Sequence, residues 1–309
     1  MPGADCSYDE LLTALRSAFV SAPDKPDETV ESTAAALWFK AAGDPRAVSR
    51  ALPPLPVLEA AQCQELRELL RRRLAGEPLA YLTGVQEFLG LDFIAAPGAL
   101  IPRRETELLG RACLAVLQEL TTRNAAIDVL DLCTGCGNVA IAMALQATQA
   151  RVYATDLESA ALAVAAANLE RHGLTDRVHL LQGDLFGALG QGEDASRQFS
   201  LISCNPPYLA TRHATHMPVA VAGSEPVAAF DGGPFGLSIV LRLIREAPQH
   251  LLPGGWLCFE IGAGQQPIVE SRVAQNAGYS EIRRVHDAQG VVRAFQLRWE
   301  PGPNARLTP

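Results

Sequence analysis

Residues 127–146 read IDVLDLCTGCGNVAIAMALQ, and this stretch decides the fold. Ile127 to Leu132 is a short apolar run of the kind that makes a buried strand. Asp131-Leu132-Cys133-Thr134-Gly135-Cys136-Gly137-Asn138 follows as a glycine-rich turn, and a helix runs on from Asn138. Strand, glycine turn and helix start form a site for a polar or anionic group: glycine lets the backbone come close, and the first helical N–H groups are free to face a ligand. The turn lacks the third glycine of a G-x-G-x-x-G fingerprint, which disfavours a nicotinamide cofactor, and it has no Gly-Lys-Ser/Thr of a Walker loop.

Downstream, the same alternation repeats. Arg151–Thr155, Val178–Gln182, Phe199–Cys204 and Trp256–Ile261 read as strands. Glu105–Leu120, Asn138–Gln146, Glu158–Arg171 and Gly236–Leu251 read as helices. The pattern predicts an α/β fold with a mostly parallel sheet covered on both faces. Ligands of such sheets bind beyond the carboxyl ends of the strands, so the informative residues belong there. Asp131, Asp156 and Asp184 close three consecutive strands. One such acid is usually a helix cap; three beside a glycine turn predict a nucleoside. Asp156 stands where an acid accepts both ribose hydroxyls. Asp184 can accept from an adenine amino group, with Leu185 and Phe186 walling the ring.

The fourth strand ends in Asn205-Pro206-Pro207-Tyr208. Two prolines stiffen the backbone and remove two donors, leaving the carbonyls near Pro206 free to accept from a ligand. The Asn205 side chain offers a donor and an acceptor, and Tyr208 a flat ring. The set suits a planar NH2 group, with two acceptors for its hydrogens and a ring against its plane. Asn205, Pro206 and Tyr208 are therefore the candidate catalytic residues, and Pro207 joins them in the substrate loop.

Upstream the chain is helical. Leu11, Leu12, Leu15 and Phe19 form a stripe within Tyr8–Ser21; Asp27 is a candidate cap for a second helix carrying Ala34, Leu37 and Trp38. Val57–Leu74 predicts a third helix with Leu58, Ala61, Leu66, Leu69, Leu70 and Leu74 facing inward. Short apolar pieces among glycines and prolines then predict a β-hairpin. The expected division is a helical domain over 1–77, a hairpin connector over 78–104 and an α/β domain over 105–309.

The net charge of −8 argues against stable binding to a nucleic-acid backbone. Arg71-Arg72-Arg73 and Arg103-Arg104 are the basic clusters, each most simply a solvated face. Seven cysteines without framework spacing suit a reducing compartment. No apolar run is long enough to span a bilayer, and the acidic start at Met1–Glu10 is unlike a signal peptide. The expectation is a cytoplasmic protein without a membrane or metal. Cys133-x-x-Cys136 has redox spacing but is more simply two small residues in a tight loop, and His213-x-x-His216 lacks a third ligand for a metal.

The sequence resembles the class I (Rossmann-like) methyltransferases, and more closely the HemK/PrmC-type glutamine N5-methyltransferases. The resemblance rests on Gly76 through Gly84, Ile101-Pro102-Arg103, Asp131 through Gly137, Asp156, Asn205 through Tyr208, Glu225-Pro226 and Glu260-Ile261-Gly262. It implies a helical N-terminal domain that helps select the substrate, a hairpin connector and a methyltransferase domain. It implies S-adenosylmethionine as cofactor, with Cys133, Thr134, Gly135, Cys136 and Gly137 cradling the methionine part, Asp156 on the ribose, and Asp184 and Leu185 beside the adenine. Asn205, bordering cofactor and substrate alike, would hold a substrate amide with help from the Pro206 carbonyl and Tyr208. The implied partner is a peptide-chain release factor, methylated on the glutamine of its Gly-Gly-Gln motif. Cys133 is closer to the related PrmB-type branch, which acts on a ribosomal protein. Ser224, where an aromatic is usual, and Phe235, where an acid is common, also depart from the pattern. These positions border the acceptor side, so a ribosomal-protein or small-molecule acceptor stays open. A non-catalytic module is disfavoured by the intact Asn205 loop.

Overall fold

The computed structural model describes residues 6–18, 25, 27–48, 53–122, 126–190, 196–211 and 225–302. Phe19, His213, His216 and Ser224 lie outside them.

Three helices open the chain: α1 (Tyr8–Ala18), α2 (Val30–Ala41) and α3 (Ala60–Leu74). Their core joins Leu11, Leu15, Leu37, Trp38, Leu66 and Leu69. The expected cap at Asp27 is two residues early. Thr29 caps α2 instead, its Oγ1 accepting from Ser32 N at 3.1 Å while Ser32 Oγ accepts from Thr29 N at 2.8 Å, a reciprocal box that satisfies two free donors. Asp27 pairs with Arg104. In α3, Ala61 and Leu74 are exposed, and Cys63 takes the inward position between them, buried. Cys63 is disulfide-bonded to Cys6, 57 residues away, a pairing that no spacing rule reveals. The other five cysteines are free.

The predicted connector begins with a short helix, α4 (Leu79–Thr83), and then makes the hairpin of β1 (Val85–Phe88) and β2 (Leu91–Ile94). Leu89 and Gly90 form its two-residue turn, both with positive φ, 52° and 78°, the conformation that matches the twist of a tight hairpin. Leu89 N donates to Glu107 Oε1 at 2.9 Å. The fully buried Asn168 both accepts from Ile94 N (2.6 Å) and donates to Ile94 O (3.2 Å), fixing the hairpin to the next domain.

The α/β unit comprises α5 (Thr106–Thr121), β3 (Ile127–Leu132), α6 (Asn138–Gln146), β4 (Ala150–Asp156), α7 (Ser159–His172), β5 (Val178–Gln182), β6 (Phe199–Cys204), α8 (Ser238–Glu246), β7 (Leu251–Glu260), α9 (Gln266–Ala274), β8 (Tyr279–His286) and β9 (Val292–Trp299). The sheet order is β5-β4-β3-β6-β7-β9-β8. The five strands β3 to β7 are parallel, and β9 and β8 add an antiparallel edge. Side chains alternate across β3: Ile127 and Val129 join one core with α5 and α6, while Leu130 and Leu132 join the other with α8. Both faces are thus buried, as a parallel sheet requires. The predicted helix over 236–251 is shorter than expected. It ends at Glu246, because Pro248 cannot continue it, and β7 already begins at Leu251. The fold class is the expected one.

The basic clusters are not a bare cationic surface. Arg71, Arg72, Arg73, Arg103 and Arg104 each face a carboxylate, of Glu68, Glu77, Glu28, Glu225 and Asp27 respectively. Among the described residues no helix is long and apolar enough to cross a membrane.

Candidate active site

The strand order reverses between β3 and β6, and a cavity of about 360 Å³ opens at the carboxyl ends there. The turn after β3 forms its floor. Cys133, Gly135 and Gly137 all have positive φ (55°, 57° and 84°), so successive N–H groups curl toward one side. A Cβ on Gly135 would meet no atom within 4 Å, because the position faces open cavity. Asp156 ends β4 beside it, accepting from Gly135 N at 2.8 Å and from Glu158 N at 3.0 Å. Burial still raises the Asp156 carboxyl above its ordinary pKa; the two backbone donors offset this only partly.

Asp131 lies beneath the turn, 2 % exposed. It accepts from the Thr134 and Ser203 hydroxyls, both at 2.6 Å. Burial pushes its pKa up to about 6 against those two bonds. This acid braces the turn from below and ties β3 to β6. Cys133 and Cys136 are both free thiols. Burial pushes Cys136 up to about 12, leaving it without the thiolate that redox chemistry needs.

After β5, Asp184 and Leu185 line the cavity, and Phe186 does not. Leu185 is buried with φ 49°. Phe186 stacks on His250 instead, with centroids 4.5 Å apart. The Asp184 carboxylate is half exposed and turned to Arg242, with Oδ2 2.5 Å from Nη1.

The loop after β6 lines the cavity through Asn205 and Pro207, and Pro206 and Tyr208 line a smaller void of about 40 Å³ behind it. Asn205 and Thr106 border both. Asn205 Nδ2 donates to Thr106 Oγ1 at 3.2 Å, whereas Asn205 Oδ1 is buried without a hydrogen-bond partner among the described residues. No hydrogen bond among the described residues reaches the Pro206 carbonyl either. The Tyr208 ring packs against Gly262, where an added Cβ would lie 3.2 Å from its edge. Gln265 Nε2 donates to the Tyr208 carbonyl at 3.0 Å.

Four residues at the site have no role assigned from sequence. Arg103 and Glu225, each seen only as part of a short motif, form an ion pair at 2.6 Å, and Arg103 lines the cavity. Thr106 reads as an ordinary helix start. Glu260 ends β7 only 1 % exposed, and burial pushes its pKa up to about 7. Thr106, Arg293 and Tyr208 favour its ionised form without giving either oxygen a hydrogen bond of ordinary geometry. Pairs of this kind lie far apart in the chain, so only an acid among apolar strand residues hinted at Glu260.

Residues 108–222 match the methyltransferase small domain, and residues 28–84 match the PrmC N-terminal domain. The release factor glutamine methyltransferase of Geobacter sulfurreducens is 39% identical over 240 residues, 78% of this chain and 78% of that protein. That of Bordetella pertussis is 42% identical over 227 residues, 74% of this chain and 80% of that protein. Among solved structures, an S-adenosylmethionine-dependent methyltransferase from Agrobacterium tumefaciens aligns with TM-score 0.49 at 15% identity, covering 71% of this chain and 70% of that one. The chain belongs to the release factor glutamine methyltransferase family, and it is an S-adenosylmethionine-dependent methyltransferase.

Proposed function

We propose that this enzyme methylates the side-chain amide nitrogen of the glutamine in the Gly-Gly-Gln motif of a peptide-chain release factor. The observation that carries the reading is Asn205. Its amide nitrogen gives one N–H to Thr106, and its amide oxygen is buried without a partner among the described residues, in a side chain that lines the cavity. A buried acceptor left unmade is costly, and an incoming NH2 group would satisfy it.

The cavity residues fit the cofactor. The open space over Gly135 leaves room for a close approach of the turn, and Asp156 offers carboxylate lone pairs beside it. Cys133 to Gly137 would hold the methionine part, Asp156 the ribose hydroxyls, and Asp184 and Leu185 the adenine edge. When bound, S-adenosylmethionine supplies an electrophilic methyl group. An amide nitrogen is a weak nucleophile, because its lone pair is delocalised. The protein's part is then mainly positioning. Asn205 Oδ1 and the Pro206 carbonyl accept the two N–H groups of the substrate amide. They stabilise the positive charge that grows on nitrogen and draw it out of plane. Pro207 keeps the segment stiff, and Tyr208 closes its far side. The amide proton becomes acidic as the new bond forms and passes to water, so no strong base is needed.

In this reading residues 1–77 help select the protein substrate, residues 78–104 join them to the catalytic unit, and residues 105–309 carry the transfer. The setting is cytoplasmic, where the Cys6–Cys63 disulfide is the exception beside five free cysteines, and there is no stable nucleic-acid partner, in keeping with the net charge of −8. The test is transfer of labelled methyl to purified release factor, beside a copy whose Gly-Gly-Gln glutamine is alanine. Label on the first alone supports the reading. Label on neither, with the cofactor still binding, moves the acceptor to a ribosomal protein or a small molecule.

A further inference from the structure

We propose that Gln265 is a positioning residue: its side-chain amide anchors the far end of the Asn205–Tyr208 loop and so sets where the Pro206 carbonyl stands. The inference rests on the reading of that loop as the acceptor's partner.

Pro206 and Pro207 have no N–H, so this stretch of the loop cannot fasten itself by donating backbone hydrogen bonds. The fastening begins at the next peptide group. Gln265 Nε2 donates to the Tyr208 carbonyl at 3.0 Å and to the Gly236 carbonyl at 3.0 Å. Gln265 Oε1 accepts from Gly262 N at 2.9 Å. One amide thus joins the loop after β6, the turn before α8 and the turn after β7. Its partners leave it a single orientation. A carbonyl only accepts and a backbone N–H only donates, so the nitrogen must face the two carbonyls and the oxygen must face Gly262. The base of the side chain is itself secured. Gln265 stands just before α9, its carbonyl accepts from Val269 N at 3.2 Å, and Val269 is fully buried. The side chain makes no cap bond to its own helix and reaches back to the loop instead.

The Tyr208–Leu209 peptide is a rigid plane, and it is pinned at both edges. Its carbonyl meets Gln265, and its N–H, that of Leu209, donates to the Phe230 carbonyl at 2.9 Å. A plane pinned at one edge alone can tilt. The proline rings lock φ at 206 and 207, on either side of the Pro206 carbonyl, so a tilt at Tyr208 is carried toward that carbonyl with little freedom to absorb it. Tilting in one direction is already blocked, because the loop lies hard against two glycines. An added Cβ would lie 2.5 Å from the Pro207 carbonyl oxygen at Gly232 and 2.1 Å from the Tyr208 carbonyl oxygen at Gly236. Gln265 blocks movement away from them. It also holds the wall behind the Tyr208 ring, since the Gly262 that it binds is the residue against which that ring packs. The carbonyl and the ring of Tyr208 are therefore placed by one side chain.

The experiment measures methyl transfer to purified release factor by the full chain, with calorimetric titration of S-adenosylmethionine in parallel to give cofactor affinity and to count the folded sites. The variants are Gln265→Glu, Gln265→Met and Asn205→Ala. Gln265→Glu keeps the shape and the acceptor for Gly262 N but turns an oxygen toward the two carbonyls. Gln265→Met keeps the length and offers neither donor nor charge. The kcat of Gln265→Met should fall roughly 10-fold, as hydrogen bonds are lost, and that of Gln265→Glu roughly 100-fold, as the loop is pushed out of place. KM for release factor should stay within about 3-fold, because what is lost is alignment in the transition state and not ground-state binding. Cofactor affinity and stoichiometry should match the wild type. A Gln265→Glu variant as active as Gln265→Met overturns the proposal, since shape and not the two donors would then matter. So does a cofactor affinity that falls as far as kcat. If Gln265→Glu does not fold, Gln265→Met decides alone, and a kcat within about 2-fold of the wild type overturns the proposal. Turnover retained by Asn205→Ala, or no transfer by the wild type, overturns the reading of the loop and this proposal with it. Loss in Asn205→Ala, with both Gln265 variants at the wild-type rate, overturns the proposal and leaves the reading standing.

Discussion

Arg103 Nη2 lies 2.6 Å from Glu225 Oε2, joining the segment after the hairpin to the loop after β6 across 122 residues of sequence. Their side chains are 12% and 1% exposed. Burial raises the Glu225 carboxyl's pKa, and Arg103 offsets this only partly. The pair therefore costs much of what it returns. Removing one member strands the other. Arg103→Met leaves Glu225 buried beside no guanidinium and should lower unfolding free energy by about 3 kcal/mol. Glu225→Gln keeps the shape and an acceptor oxygen for Arg103, whose side chain is the more exposed of the two, and should cost less. Denaturant titrations of the two variants check the order, and equal losses would remove the argument from desolvation. Because Pro226 and Ala229 line the cavity, KM for the protein acceptor should rise in Arg103→Met more than KM for the cofactor.

Gly236 sits against the backbone of Tyr208. It has φ 70°, and an added Cβ would lie 2.1 Å from the Tyr208 carbonyl oxygen. Gln265 Nε2 donates to both the Tyr208 and the Gly236 carbonyls at 3.0 Å, holding the two strands of chain together. Gly236→Ala must push one of them away. The expected result is a roughly 100-fold loss of kcat, since displacement of about an ångström is enough at a reacting centre. The atoms nearest an added Cβ belong to Tyr208 and Gln265 and not to the turn of residues 133–137, so cofactor affinity should change little. A variant with normal kcat would show that the loop yields elsewhere.

The strands with continuous apolar runs were legible in the sequence: Ile127–Leu132 and Phe199–Cys204 agree end to end. β8 was not, because Glu281, Arg283 and Arg284 dilute its alternation, and its burial comes from pairing with β9. The same holds for the cap of α2. Asp27 and Thr29 are both good cap residues, and only the reciprocal bond with Ser32 decides between them. At the site, the glycine turn and the Asn205 loop announce themselves because their chemistry lies in consecutive residues. Thr106 is silent because its partner is 99 residues away. The Arg242 contact that draws Asp184 outward comes from α8, 58 residues on, and no feature of Gly183-Asp184-Leu185 foretells it.

That contact separates the two acids proposed for the cofactor. Asp156 is held by two backbone N–H groups and faces the cavity with its charge poorly solvated. Asp184 is 54% exposed and shares its carboxylate with Arg242, where solvent weakens every interaction it makes. Asp156→Ala should weaken cofactor binding by roughly 100-fold, losing charge-assisted bonds to hydroxyls. Asp184→Ala should weaken it by less than about 5-fold. Calorimetric titration of each variant with S-adenosylmethionine measures the ratio. Comparable losses would mean that the adenine edge is held as firmly as the ribose.

Asp131 should leave a signature in the pH dependence of stability. Its folded-state pKa is raised to about 6 from an ordinary 3.8, chiefly by burial. Between those values the folded chain binds a proton that the unfolded chain has released. Unfolding free energy therefore falls as pH rises through that window and levels off above about 6. His172 and His250 are held below their usual values by burial. They act in the opposite sense, so the contribution is best read as a difference between two proteins that share them. Asp131→Asn cannot ionise. Unfolding free energy of the wild type relative to Asp131→Asn should be greatest near pH 4 and decline toward neutrality, by up to about 3 kcal/mol. The cost of Asp131→Asn at low pH measures what the neutral acid contributes through Thr134 and Ser203. A difference that grows with pH would mean that those two hydroxyls stabilise the anion more than burial penalises it, and that Asp131 braces the turn as a carboxylate throughout.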